Sequence, residues 1–468
     1  MRGTGKDPCA LRRVPLACAL AWLLAPGCAP SKAPRPDGIV LVVLDTLRAD
    51  RLALYGHSRP TSPALDALAA RGAVFEDVIT NASWTLPALA GLLSARFPTR
   101  EVFDRRLKTS LVERLEAAGW ATAAFTEGGY FSKAFGLDRG FATYREEESA
   151  IRLTLRGEAY HESADGSIEK TFALAEQWLA QRDGSPFFLV VHTYEVHTPY
   201  RRGKYTTGLE RGVLDETLEQ SHVARIRAGE LALGETERSY LAALYDGGVH
   251  RADRHVGELL AALERLGLAA TTAVVVTSDH GEEFGDRVAD YAGDHGHSLY
   301  DELVRVPLVL YNPLETYPVR RVAQQVRTID ILPTLLDLAA LPVVDGCDGR
   351  SLLPLLRGEQ REARPAYAET HKFPPGRLAL RRGGHKLIVR LPASRDAAAV
   401  FELYDLERDP GERSDLARER PQLLAEMEAE LRTLVTRFEK AGRADYRSPR
   451  ETPREVIERL ESLGYVEP

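Results

Sequence analysis

Two uninterrupted apolar runs that lie far apart in the chain constrain its fold more than any other feature. Residues 39–44 read Ile-Val-Leu-Val-Val-Leu, and residues 273–276 read Ala-Val-Val-Val. Runs without polar alternation are typical of strands buried on both faces of a parallel sheet. Asp45 ends the first run, and Asp279 and His280 follow the second closely. Since ligands bind at the carboxyl ends of such strands, the pattern predicts a metal site there; turn capping by the aspartates is the alternative.

The first 28 residues are predicted to be an export signal rather than part of the fold. A basic start is followed by an apolar stretch over residues 14–25, which is too short to span a membrane. The stretch ends at Cys28 in a pattern that resembles a bacterial lipoprotein box, and residues 29–37 read as a tether. Ala25 departs from the usual box, so ordinary signal cleavage is the alternative. We therefore expect an exported bacterial protein, either periplasmic or anchored to a membrane through a lipid on Cys28.

Composition bounds the remaining possibilities. The chain has 468 residues, of which 44% are hydrophobic and 28% charged, enough for one large core and a smaller domain. Its net charge of −7 gives no electrostatic reason to bind nucleic acid. If Cys28 is lipidated, the mature chain keeps only Cys347, so no disulfide is expected.

Thr85 is predicted to stand at the start of a helix. Pro87 follows closely, and residues 88–95 contain good helix formers. A hydroxyl at a helix N-terminus lies among free N–H groups, a setting that stabilises an anionic ester or an alkoxide. An ordinary N-cap is the alternative interpretation.

Six stretches, in the same order along the chain, resemble the sulfatase family of the alkaline phosphatase superfamily. The stretches are residues 40–56, 85–98, 186–200, 277–307, 330–337 and 401–410. The resemblance implies an α/β fold with a large, mostly parallel central sheet flanked by helices. A catalytic domain over residues 38–368 would be followed by a subdomain over 369–468, with a small antiparallel sheet and terminal helices.

The resemblance also implies the residues of an active site. Thr85 occupies the position of the family's nucleophile, and His197 is a candidate to protonate the leaving oxygen or to hold the transferred group. His295 and His297 are alternative substrate-binding residues. One divalent cation is expected, with Mn²⁺ or Zn²⁺ favoured over Ca²⁺ or Mg²⁺ because the predicted ligand set mixes oxygen and nitrogen. The predicted metal ligands are Asp45, Thr85, Asp279 and His280.

Two departures from the family pattern affect the expected reaction. Threonine offers no obvious route to formylglycine, which sulfatases make from Cys or Ser, and Leu89 replaces the motif's Arg. Thr85 is instead similar to the nucleophile of the superfamily's phosphodiesterases and phosphotransferases. We therefore expect a metal-activated Thr85 to attack phosphate mono- or diesters. A sulfuric ester hydrolase without formylglycine and a non-catalytic lipoprotein that binds the cell envelope are the alternatives. Small molecules and envelope polymers or lipids are the expected ester substrates.

Overall fold

The computed structural model describes residues 34–98, 107–147, 167–214, 217–343, 346–394 and 397–445. The predicted signal, Cys28, most of the tether and the end of the predicted subdomain after residue 445 lie outside this part of the chain. Within the described residues, no helix is both long and apolar enough to cross a membrane.

The described strands form two sheets, the larger of which carries the predicted metal residues. The larger sheet contains β1 (Gly38–Leu44), β2 (Ala73–Ile79), β3 (Ala121–Thr126), β4 (Thr143–Glu146), β5 (Phe187–Thr193), β6 (Thr272–Thr277), β7 (Arg305–Tyr311), β8 (Arg321–Val322) and β9 (Val326–Arg327). The smaller contains β10 (Ala366–Thr370), β11 (Arg377–Arg382), β12 (His385–Arg390) and β13 (Val400–Asp405).

The larger sheet is mostly parallel and has β1 near its centre. Its order is β4-β3-β5-β1-β6-β7-β2-β8, with β9 also paired to β2. β1 pairs in parallel with β5 on one side and β6 on the other, whereas β7 runs antiparallel to both β6 and β2. All seven residues of β1 are buried. The predicted fold class is therefore confirmed.

Helices cover both faces of this sheet. The α-helices of the described residues are α1 (Pro63–Arg71), α2 (Thr85–Ser94), α3 (Val112–Ala117), α4 (Ser167–Ala180), α5 (Gln220–Arg227), α6 (Glu235–Arg265), α7 (Asp301–Val304), α8 (Ile331–Leu338), α9 (Leu353–Leu356) and α10 (Pro421–Asp445), of which α10 packs on the smaller sheet instead. Alternate residues of β1 point to opposite faces. Ile39, Leu41 and Val43 join the core with α2 and α8, and the residues between them join the core with α1, α4 and α6. This double burial explains the apolar run without alternation.

The smaller sheet is antiparallel in the order β10-β11-β12-β13, and α10 packs against it. Met427, Leu431 and Phe438 of α10 share a core with Leu380 and Leu387 of the sheet. The predicted boundary at residue 369 stays a prediction; β10 begins at Ala366.

The structure refines the predicted helix start at Thr85. Trp84 rather than Thr85 is the N-cap of α2, so Thr85 is the first helical residue.

Candidate active site

Three neighbouring strands bring their carboxyl ends together at the candidate site. Val43 in β1 lies opposite His192 in β5 and opposite Thr277 in β6. Asp45 follows β1 directly, and its N–H donates to Thr193 O over 3.0 Å. Asp279 follows β6, so these ends meet at one sheet edge as expected for ligand binding in α/β sheets.

Asp45, His192 and Asp279 form a buried cluster whose ligand-type atoms all lie within 4.8 Å of one another. His192 Nε2 is 3.4 Å from Asp45 Oδ2. Both oxygens of Asp45, Oδ2 of Asp279 and both nitrogens of His192 are buried without a hydrogen-bond partner among the described residues. Buried polar atoms normally have partners, so this concentration of unsatisfied atoms indicates a missing ligand.

A divalent cation fits this cluster. Burial, followed by repulsion from the Asp279 carboxylate, raises the pKa of Asp45 well above its ordinary value. Burial also lowers the pKa of His192 to about 4, so its imidazole is neutral near pH 7 and has a lone pair to offer. Two adjacent carboxylates and a neutral imidazole are a donor set for a transition-metal or similar divalent cation, which would relieve the repulsion.

Thr85 and His280 extend the cluster on one side. Thr85 Oγ1 lies 3.2 Å from His280 Nε2, which is 3.4 Å from Asp279 Oδ2 and 3.9 Å from Asp45 Oδ1. His280 Nδ1 is 2.9 Å from Gly281 O. Since a carbonyl can only accept, Nδ1 carries the proton, and the Nε2 lone pair faces the two carboxylates. A lone pair and carboxylates facing each other again favour a cation between them.

The structure thus brings together all four residues predicted as metal ligands. Asp45, Thr85, Asp279 and His280 are each no more than 1% exposed. Their roles as ligands and nucleophile stay predictions. Glu195, which lies in the same stretch as His197, pairs with Arg201 and Arg251 at 2.9 and 2.5 Å.

The three other predicted histidines have different surroundings. The His295 ring lies 4.4 Å from the His280 ring and 5.1 Å from the His197 ring, centroid to centroid. His197 is therefore close to the site, and burial lowers its pKa to about 4. His197 Nδ1 bonds to Thr198 O, which leaves Nε2 as an acceptor. His297 instead stacks on Tyr291 at 4.1 Å, with Nε2 3.8 Å from Glu283 Oε2.

Sequence reasoning missed three buried groups at the site. His192 was overlooked, although its place at the end of the apolar run 187–191 was an available signal. Glu282 accepts from Tyr200 Oη over 2.7 Å and lies 3.1 Å from His295 Nδ1, and burial raises its pKa to about 8. Lys372, from the segment after β10, lies 3.8 Å from Asp294 Oδ1; no local pattern marked it.

Family models match the chain over both sheets. The model described as Sulfatase matches residues 38–341. The chain belongs to the sulfatase family. A second model, described as N-sulphoglucosamine sulphohydrolase, C-terminal, matches residues 293–440.

Individual curated proteins and solved structures are similar to this chain over most of its length. The Δ4,5-hexuronate-2-O-sulfatase of Bacteroides thetaiotaomicron is 26% identical over 463 residues, covering 90% of this chain and 92% of that protein. A solved structure of a protein in complex with its substrate, D-glucosamine-2-N,6-O-disulfate, is similar to this chain. Its TM-score is 0.64 and its identity 20%, and the match covers 88% of this chain and 99% of that protein chain. The phosphonate monoester hydrolase of Agrobacterium radiobacter is similar with a TM-score of 0.69 and 20% identity, covering 86% and 96%.

These comparisons identify a hydrolase that acts on sulfuric or phosphoric esters. They do not confirm the phosphate ester expected from Thr85 and agree better with the alternative, a sulfuric ester. Thr85 at the nucleophile position argues against a sulfatase. The family match is stronger evidence, because the Sulfatase model covers five of the six stretches that resemble the family.

Proposed function

We propose that this protein hydrolyses a sulfate ester of a sugar, with Thr85 as the attacking residue and Asp45, Asp279, His192 and His280 as ligands of a divalent cation. One observation carries the proposal: Thr85 Oγ1 lies 3.2 Å from His280 Nε2 at the N-terminus of α2, beside the two buried aspartates. A hydroxyl, a lone pair and two carboxylates that converge in this way are suited to group transfer from an anionic ester.

The names of the relatives support a sulfated sugar. The Bacteroides relative, aligned over 90% of this chain, is named for a hexuronate 2-O-sulfate, and the C-terminal family model for N-sulphoglucosamine. Two cationic and two aromatic side chains lie close to the site and are compatible with a charged sugar.

The cation, when bound, would lower the pKa of the Thr85 hydroxyl and neutralise negative charge on the ester. Free N–H groups at the start of α2 would stabilise the same charge. Thr85 Oγ1 would lose its proton to water and form a bond to sulfur as the bond from sulfur to the sugar oxygen breaks, and that oxygen would take up a proton from water. A second water would then attack sulfur and break the bond from sulfur to Oγ1, and Oγ1 would take up a proton as sulfate leaves. His197 Nε2, as an acceptor, is suited to orient a substrate hydroxyl in this scheme.

A second candidate function is hydrolysis of phosphate mono- or diesters. Thr85 itself favours it, because its side chain carries a methyl group on Cβ and cannot yield the aldehyde through which formylglycine enzymes expel sulfate. A phospho-threonine can be resolved by water or by an acceptor alcohol without that aldehyde.

A panel of esters with one common leaving group separates these functions. We would assay nitrophenyl sulfate, nitrophenyl phosphate and bis-nitrophenyl phosphate with Mn²⁺, Zn²⁺, Ca²⁺ and Mg²⁺ in parallel, alongside sulfated sugars. We expect sulfate release that falls by about a thousandfold or more in Thr85→Ala, with partial activity in Thr85→Ser. Preferred release of phosphate would establish the second candidate. Protein that binds a cation but is inert on every ester would indicate a non-catalytic envelope-binding protein.

Export and anchoring are also proposed. The support is the basic and apolar start of the chain and Cys28. Labelling of cells with a radioactive fatty acid should mark the wild-type chain but not Cys28→Ser. An unlabelled, cleaved chain in the periplasm would indicate ordinary signal cleavage instead.

A further inference from the structure

We propose that Arg227, Lys372, Tyr291 and Phe373 form a subsite that binds a second anionic group of the sugar, such as a carboxylate, beside the ester to be cleaved. We call these four residues the acidic-sugar subsite. The inference rests on the proposed function and narrows its substrate class to sugars that carry another negative charge.

Asp294 holds the two cations of the subsite next to the catalytic residues. Its Oδ1 lies 3.8 Å from Lys372 Nζ, and its Oδ2 pairs with the Arg227 guanidinium. The next residue, His295, has its ring 4.4 Å from the ring of His280, whose Nε2 lies 3.2 Å from Thr85 Oγ1. The subsite is thus connected to the proposed nucleophile through the packed rings of His295 and His280.

The two cations of the subsite differ in exposure, although both pair with the Asp294 carboxylate. The Arg227 side chain is 43% exposed, so its guanidinium remains accessible to a ligand, whereas the Lys372 side chain is only 9% exposed. A planar guanidinium with accessible N–H groups suits a carboxylate or a sulfate.

Two aromatic rings lie beside these cations. Tyr291 and Phe373 have centroids 5.6 Å apart, and the Arg227 guanidinium lies 4.9 Å above Phe373. Both aromatic residues are only partly buried, so some apolar ring surface faces solvent. Partly exposed rings next to a guanidinium offer a sugar both an apolar contact and a charged one, as small-molecule sites commonly do.

Hydrogen bonds fix the segment that supplies Lys372 and Phe373. Thr370 Oγ1 donates to Gly296 O over 2.6 Å, and Glu369 N–H donates to Asn81 O over 3.1 Å. Asn81 stands four residues before Thr85. The segment after β10 is therefore attached to both the 293–297 loop and the strand exit that leads to the nucleophile, which sets the position of the subsite before any ligand binds.

Binding to a matched pair of sugars tests the subsite. The probes are a sulfated uronic acid–hexosamine disaccharide and its carboxyl-reduced counterpart, which keeps the sulfates but lacks the carboxylate. Calorimetry on Thr85→Ala protein supplied with Mn²⁺ should show the acidic disaccharide binding about tenfold tighter. Adding Arg227→Gln should abolish that difference, and Phe373→Ala should weaken binding of both probes. The control Arg225→Gln, an exposed arginine on the same helix, should preserve the difference.

Each outcome bears on one proposal. Equal binding of the two probes, or an undiminished difference in Arg227→Gln, would overturn the acidic-sugar subsite and leave Arg227 as a structural partner of Asp294. Discrimination between the probes without sulfate release by the wild-type chain would retain the subsite and refute the proposed hydrolysis. Sulfate release by a wild-type chain that binds both probes equally would retain the proposed hydrolysis and refute the subsite.

Discussion

His192 connects the sheet to the proposed metal site at the scale of a single residue. Its imidazole is fully buried, neither nitrogen has a hydrogen-bond partner in the part of the chain that the structure describes, and Nε2 lies 3.4 Å from Asp45 Oδ2. Such a ring in an apolar strand would be costly to bury unless it binds something. Phe131 and Tyr194 pack edge-on against it, with centroids 5.0 and 4.7 Å away, and hold its orientation.

We therefore expect His192→Ala to weaken binding of Mn²⁺ or Zn²⁺ by at least about tenfold, because a ligand or its close neighbour is lost. Calorimetric titration of metal-free protein measures this change, with far-UV circular dichroism as a check on folding. His250→Ala, a half-buried histidine outside the cluster, is the control and should leave affinity unchanged. Wild-type affinity in folded His192→Ala would remove His192 from the site.

Glu282 gives the stability of the metal-free protein a defined pH dependence. Burial is the main reason that the pKa of Glu282 rises from 4.5 to about 8 in the folded chain. A carboxyl whose folded pKa is raised contributes its full stability below its unfolded pKa and loses it as pH rises through its folded pKa. The wild type should lose stability relative to Glu282→Gln between about pH 4.5 and 8, by a few kcal/mol in total.

Urea unfolding of both proteins with a chelator present, at several pH values, measures this difference. Comparing the two proteins at each pH cancels the titration of other groups. A constant difference from about pH 5 to 9 would show that Glu282 does not change its protonation over that range.

At the scale of elements, the start of α1 is capped from another helix. Asp253 in α6 accepts from Ala64 N–H over 2.9 Å and from Leu65 N–H over 2.8 Å, whereas Ser62 at the N-cap makes no side-chain cap bond. Asp253 is 1% exposed. The cap thus also joins two helices on the same face of the sheet.

Asp253→Ala should lower the free energy of unfolding by about 2 kcal/mol, since a buried and a partly buried N–H group lose their acceptor. Urea unfolding measures the change. Glu264→Ala, an exposed position on the same helix, is the control and should change stability by less than about 0.5 kcal/mol. Equal effects of the two substitutions would show that water replaces the cap.

Two of the strands at the site could be predicted from sequence, but several of the side chains that gather around them could not. Burial on both faces leaves an apolar run, so β1 and β6 and the aspartates after them were predictable. His192 belongs to a strand whose register beside β1 is not visible in the sequence. The choice between His295 and His297 depends on Gly296, which has φ +84° and turns the two rings toward different neighbours. Lys372 reaches the site from a remote segment, which no local periodicity indicates.

At the scale of the whole molecule, a buried ion cluster joins the smaller sheet to α7, which leads directly into β7 of the larger sheet. Lys386 of β12 is 1% exposed, with Nζ 2.8 Å from Asp301 Oδ1 in α7 and 2.9 Å from Glu412 Oε1. Arg381 of β11 also pairs with Asp301, at 3.1 Å. Asp301 follows the loop that carries His295, so this cluster attaches the small sheet close to the site.

We expect Lys386→Met to destabilise the protein by about 3–5 kcal/mol, because it leaves buried carboxylates with too little positive charge. Lys386→Met combined with Glu412→Gln should be more stable than Lys386→Met alone, since the second change removes a charge that lost its partner. A double-mutant cycle from urea unfolding measures this coupling. Arg408→Met is the control: its side chain is 80% exposed and 3.8 Å from Asp405, so its loss should cost under about 1 kcal/mol. Additive effects of the two cluster substitutions would contradict the cluster, because residues that share a buried charge must couple.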